Sequence, residues 1–159
     1  MSKDQTKIEI KELVEKAKNL IPNSHPPNLA SLDNIPNVLA WHEYEVKVWE
    51  YGEQIRLKLS KYKSLRKDKD LLDLFLTVCL DPNAKRGRQS FLMLFWYKSC
   101  QEYAPSIVTQ INDEYVTGHI IEGLIKMHAI GYAAIIRRFT NHKITWIRNL
   151  ARKYVTAFG

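Results

Sequence analysis

After Glu122 this chain has no carboxylate. Its last 37 residues carry seven cations, Lys126, Arg137, Arg138, Lys143, Arg148, Arg152 and Lys153, and nothing acidic to answer them. Other things are scarce too. The two cysteines, Cys79 and Cys100, stand in apolar segments without CxxC spacing, so they are expected to be buried free thiols in a reducing, cytoplasmic setting. No apolar run approaches the roughly 18 residues that a membrane span needs, which excludes a transmembrane helix on sequence grounds. The first residues, MSKDQTKIEIKEL, lack the apolar stretch of a secretory leader. A Gly-rich phosphate loop, a nucleophile elbow and a Cys–His pair are all missing, so nothing calls for a cofactor or announces an enzyme. There is no Asn-Gly or Asp-Gly hairpin and no sustained alternation of apolar and polar residues, so strands are not expected.

What is present fits one helical domain. A chain of 159 residues can bury a core without disulfide or metal staples, and 45% hydrophobic with 26% charged residues is an ordinary globular balance. The net charge of +7 points to an anionic partner, nucleic acid or an acidic protein face, without choosing between them.

Residues 7–20 set Ile8, Ile10, Leu13, Val14, Ala17 and Leu20 among Lys and Glu, an amphipathic helix ended by Pro22. This N-terminal helix (1–22) is expected to dock on the main body. Residues 23–37, NSHPPNLASLDNIPN, read as a Pro- and Asn-rich linker. The helical body (38–159) opens with a long helix over 38–62, in which Trp41, Tyr44, Val48, Tyr51, Ile55, Leu59 and Tyr62 recur at three and four. Gly52 inside it marks a close contact or a bend. Seven cations between Arg56 and Lys69 are either a phosphate-tracking patch or a solvated helix end.

Beyond Asp70 the pattern becomes a short helix, a polar turn and a longer helix, three times over. The turns start at Asp81, Asn112 and Asn141, a spacing of about 30 residues that marks α-solenoids. In the first unit, Phe91–Tyr97 is a continuous apolar run, which predicts a central helix covered on most sides. Lys85, Arg86 and Arg88 stand at its start, against the helix dipole, unless an anion or acidic side chain answers them. The expected core is Trp41, Val48, Ile55, Leu72, Phe75, Phe91, Leu94, Phe95, Ile121, Leu124, Ile135, Trp146 and Leu150.

The last unit, residues 132–155, resembles a HEAT/armadillo-type repeat through Trp146-Ile147-Arg148 and Leu150-Ala151-Arg152. Ile147, Arg148 and Ala151 match the family's apolar residue, Arg and small residue at the opening of a second helix. Val116 with Gly118, and Arg88 with Ser90, match more loosely in the other two units. The resemblance covers about 90 residues from Asp70 and implies a short right-handed α-solenoid of helix pairs, used for binding rather than catalysis.

On this reading the binding surface consists of Lys85, Arg86, Arg88, Arg137, Arg138, Lys143, Arg148 and Arg152. It either engages a partner or forms internal Arg–Asp ladders with Asp81 and Asp113. An acidic protein partner is favoured over nucleic acid, because exposed aromatics interleaved with the cations are not evident. A third reading takes Arg137 and His142, five residues apart, as similar to the RxxxxH motif of HEPN-type ribonucleases. His119, Glu122 and His128 lack a further ligand at a usual spacing, so no metal is expected.

Overall fold

The computed structural model describes residues 1–27, 29 and 40–159. Asn28 and residues 30–39 lie outside them, and with them most of the expected linker and the expected start of the long helix at Val38. Among the described residues the chain is all-helical, without strands. Contacts divide it into two compact units, Met1–Phe91 and Leu92–Gly159.

In the first unit α1 (Lys3–Leu20) is capped by Ser2, whose Oγ accepts from Gln5 N–H at 3.1 Å, and it buries Ile10, Leu13, Val14 and Ala17. α2 (Glu43–Lys61) buries Val48, Ile55 and Leu59 of the predicted stripe, together with Glu45 and Gly52, while Tyr44, Tyr51 and Tyr62 are half-buried and Trp41, also half-buried, lies ahead of the helix. α3 (Lys69–Cys79) starts on Asp68, whose carboxylate accepts from Leu71 N–H. α1 lies against both α2 and α3, as a docked N-terminal helix should. Ion pairs tie it there: Lys7 to Asp68 at 2.8 Å and to Asp70 at 3.3 Å, and Lys58 to Glu9 at 2.6 Å. The Lys7 ammonium, together with the Leu71 N–H, outweighs the effect of burial and holds the Asp68 carboxyl below its usual range.

Gly52 marks a close contact. A Cβ there would stand 1.9 Å from Ser90 Oγ, so α2 meets residues 87–91 backbone to side chain with no room for a methyl.

The predicted central helix does not form as one element. Residues Pro82–Arg88 make a 3₁₀ segment broken at Lys85, and α4 is short, Gln89–Met93. The chain then turns at Leu94–Tyr97, where Phe95 N–H donates to Leu92 and Tyr97 N–H to Phe95. The apolar run lacks a wet face because it serves two cores in succession. Phe91 packs edge-on to Phe75 in the first unit, ring centroids 6.5 Å apart, and Phe95 packs on Tyr103 in the second at 5.2 Å.

The second unit holds α5 (Ala104–Ile107), flanked by 3₁₀ turns, α6 (Thr117–Met127), α7 (Ala133–Ile136) with the 3₁₀ turn Arg137–Phe139, and α8 (Thr145–Phe158). α6 buries Ile120, Ile121, Leu124 and Met127 and ends on His128 in the left-handed region, φ 54°. α8 buries Ile147, Ala151 and Tyr154 and packs on both α6 and α7. The Tyr154 hydroxyl donates to the Ala129 carbonyl and accepts from Tyr132 N–H, tying α8 to the α6–α7 turn. Burial pushes its phenol above the ordinary range.

Candidate functional site

The expected basic surface falls in two unlike settings. In the first unit Lys85 and Arg88 are interior residues, 1% and 0% exposed, which corrects their placement on a binding surface. The reason is local. Segment 82–88 is laid directly on α2, with Gly87 so close that a Cβ would stand 2.8 Å from the Glu45 carbonyl. A buried cation must be met by acceptors, and these are on hand. Lys85 Nζ donates to Pro26 O at 2.8 Å, and Arg88 Nε donates to Lys85 O at 3.1 Å. Glu45, itself 2% exposed, accepts from Arg86 N–H at 3.0 Å and from His42 N–H at 2.6 Å. The Arg86 guanidinium lies over the Trp41 ring, 5.8 Å from its centroid. The two buried cations of this segment are thus met internally by carbonyl oxygens, while the Glu45 carboxylate holds the backbone at Arg86.

The same stretch, together with His42 at the start of α2, grips the chain that follows α1. Asn83 Nδ2 donates to Pro22 O at 3.1 Å, Lys85 reaches Pro26 O, and His42 Nε2 donates to Pro27 O at 2.7 Å. Prolines lack an N–H, so their carbonyls are the groups this segment offers, and three of them are taken.

In the second unit the cations lie on the outside. Arg137, Arg138, Lys143 and Arg152 are exposed and Arg148 half-buried. Arg148 and Arg152, one turn apart on α8, converge on the loop before it: Arg148 donates to His142 O at 3.0 Å, and Arg152 to Thr140 O at 2.9 Å and Asn141 Oδ1 at 3.4 Å. Arg138 is tethered to Asn112 Oδ1 at 3.1 Å. These carbonyl and amide oxygens orient the guanidiniums without neutralising them. The side chains of Arg137, Lys143 and Lys153 make no hydrogen bond or ion pair among the described residues, and all three residues are exposed. Asp81 and Asp113, candidates for an internal ladder, each accept a local backbone N–H, from Asn83 and from Tyr115.

His142 holds a local position. Its Nδ1 accepts from Ile144 N–H at 3.0 Å, closing the turn into α8, and its ring leans on Phe139. That bond leaves the proton on Nε2 in the neutral ring.

A second group was legible only in part. Trp146, expected in the core, is 46% exposed. The correction follows from helix geometry: a stripe through Ile147, Ala151 and Tyr154 leaves Trp146 on its flank. The indole rests on α6 at Gly118, where a Cβ would stand 2.0 Å from its outer ring. His119 meets Trp146 edge-on at 5.7 Å and stacks on Trp96 at 6.3 Å, and Lys126 Nζ lies over Trp96 at 4.9 Å. Trp96 in turn lies on Gly123, 3.0 Å from where a Cβ would be. Burial lowers the pKa of His119 to about 4, so the ring is neutral at pH 7. The available signal was two glycines inside one helix, Gly118 and Gly123, each the seat of a tryptophan.

Among the described residues no group of three His, Cys, Asp or Glu side chains could hold a metal, and no helix is long and apolar enough to cross a membrane. Both thiols are buried, and burial pushes their pKa values up, away from reactivity. No protein-family model matches the chain, and no curated protein or solved structure matches it either.

Proposed function

We propose that the C-terminal unit is a non-enzymatic binding surface for a polyanion. One observation carries this reading: the carboxylate-free stretch 123–159 puts its cations on the outside, around α8 and the loop ahead of it. Cations without carboxylates among them attract an anionic chain by mass charge, with affinity that falls steeply as salt rises. Arg148 and Arg152 are held by neutral oxygens, so their orientation is set before a partner arrives. In this proposal the successive pairs α5–α6 and α7–α8 are a short HEAT-like stack whose longer helices present the surface. An acidic protein face remains the favoured partner on sequence alone. The half-exposed Trp146 supplies the aromatic whose absence counted against nucleic acid.

The test is a titration of the whole chain against single-stranded and duplex nucleic acid and against polyglutamate, at two salt concentrations. Salt-steep binding to at least one of them is expected. Replacing Arg137, Lys143 and Lys153 together by Gln removes no internal bond and should lower the salt slope for nucleic acid by about 2. Absence of binding to all three at low salt would overturn the proposal.

A further inference from the structure

We infer that Trp146 is a stacking platform for an unpaired base, and that the polyanion is single-stranded nucleic acid. This rests on the polyanion reading and adds to it the class of partner. A large aromatic left half-exposed is not unusual by itself. Three features set this one apart. The first is its seat. The three nearest ring atoms stand 2.0, 2.4 and 2.7 Å from the Cβ position of Gly118, a slow increase that belongs to a point above the ring plane rather than beyond its edge. One face of the outer ring is therefore laid on the α6 backbone, which only glycine permits. The second is rigidity. His119 abuts the indole edge-on and is itself stacked on Trp96, so the ring is held in a row of aromatics. A base that stacks on it orders little that is not already ordered. The third is charge. Lys153 lies seven residues on, along the same flank of α8, and Lys143 just ahead of the helix; both are exposed. Glu122 is the lone carboxylate of α6 and α8 together.

A half-exposed, firmly seated indole among cations is the combination that sequence-tolerant single-strand binders use, stacking for the base and ammonium or guanidinium for the phosphate. Duplex ends few bases that could reach such a ring, and an acidic peptide would use the cations while gaining nothing from a flat π-face. Both are outcomes of the test.

The measurement is fluorescence anisotropy of labelled oligothymidylate, oligouridylate, a duplex and polyglutamate with the full chain at one low salt concentration. Wild type should prefer the single strands over the duplex, and tryptophan emission should be quenched on binding. Trp146→Leu should weaken single-strand binding about ten-fold or more and leave duplex and polyglutamate binding unchanged. Trp146→Phe, which keeps a π-face and perturbs packing less, should retain most of the affinity; circular dichroism checks that both variants fold. Equal losses across all four ligands, or a wild type that does not distinguish single strands from duplex, would overturn the stacking role. Binding to polyglutamate alone would overturn the nucleic-acid assignment and leave the polyanion surface standing. Failure to bind anything would remove both.

Discussion

His119 sits between two tryptophans, and burial holds its pKa at about 4 against 6.5 for an open histidine. Between those two values the unfolded chain takes up a proton that the folded unit excludes. The sign follows: the contribution to stability is complete above pH 6.5 and is lost as the pH falls towards 4. Its upper limit is about 3 kcal/mol, at 1.36 kcal/mol per pKa unit. Thermal unfolding should therefore show a midpoint that drops across this window, with a smaller drop in His119→Phe; superimposable profiles would rule the histidine out as the cause. Residue identity alone could not have foretold this. The sequence shows a histidine near Glu122 on a helix, and periodicity puts both on one flank. What it does not show is that Gly118 and Gly123 admit an indole on either side. Trp146 failed as a core prediction for the same reason, since hydrophobicity cannot say which of two adjacent residues, Trp146 or Ile147, turns inward.

At the scale of elements the long amphipathic helices were legible. The expected helices over 7–20 and 38–62, and the longer helix expected after the turn at Asn141, correspond to α1, α2 and α8, whose apolar stripes are regular and whose ends are marked by Ser2, Pro22 or the polar turn before Thr145. The stretch 81–100 was not legible, because a run without polar positions has no period to read, and burial satisfies it as helix or as turn. Its break is at Lys85, with φ 49° and ψ −128°. Those are the dihedrals of the first central residue of a type II′ turn, a glycine position. A lysine kept there carries strain of about 1–3 kcal/mol, which the surrounding contacts must over-determine. The expected order of stability is therefore wild type, then Lys85→Gly, then Lys85→Ala. Both variants lose the bond to Pro26, and only glycine relieves the backbone; the gap between them should be about 1–2 kcal/mol in denaturant unfolding. If Ala were the more stable of the two, the strain would be absent and the lysine's buried amine would be its whole contribution.

For the whole molecule, length and composition indicated one helical domain, and within it the chain forms two compact units, each closed around its own aromatic residues. That division could not be read from the sequence, because no linker marks it: the boundary runs through the apolar stretch itself. The Pro- and Asn-rich stretch that looked like a boundary instead begins with a segment fastened by side chains. Residues 1–27 are attached by Lys7 to Asp68, by Glu9 to Lys58, and by the carbonyls of Pro22, Pro26 and Pro27 to Asn83, Lys85 and His42. These attachments join residues far apart in sequence, and none depends on the peptide bonds between residue 27 and residue 40. Produced as two separate polypeptides, 1–27 and 40–159, the protein should reassemble into a helical complex that co-elutes and regains the circular dichroism of the intact chain. Raising the salt should loosen it through the ion pairs, and Lys85→Ala should loosen it through the carbonyl at Pro26. The first helix would then behave as a ligand that this chain happens to carry on its own end.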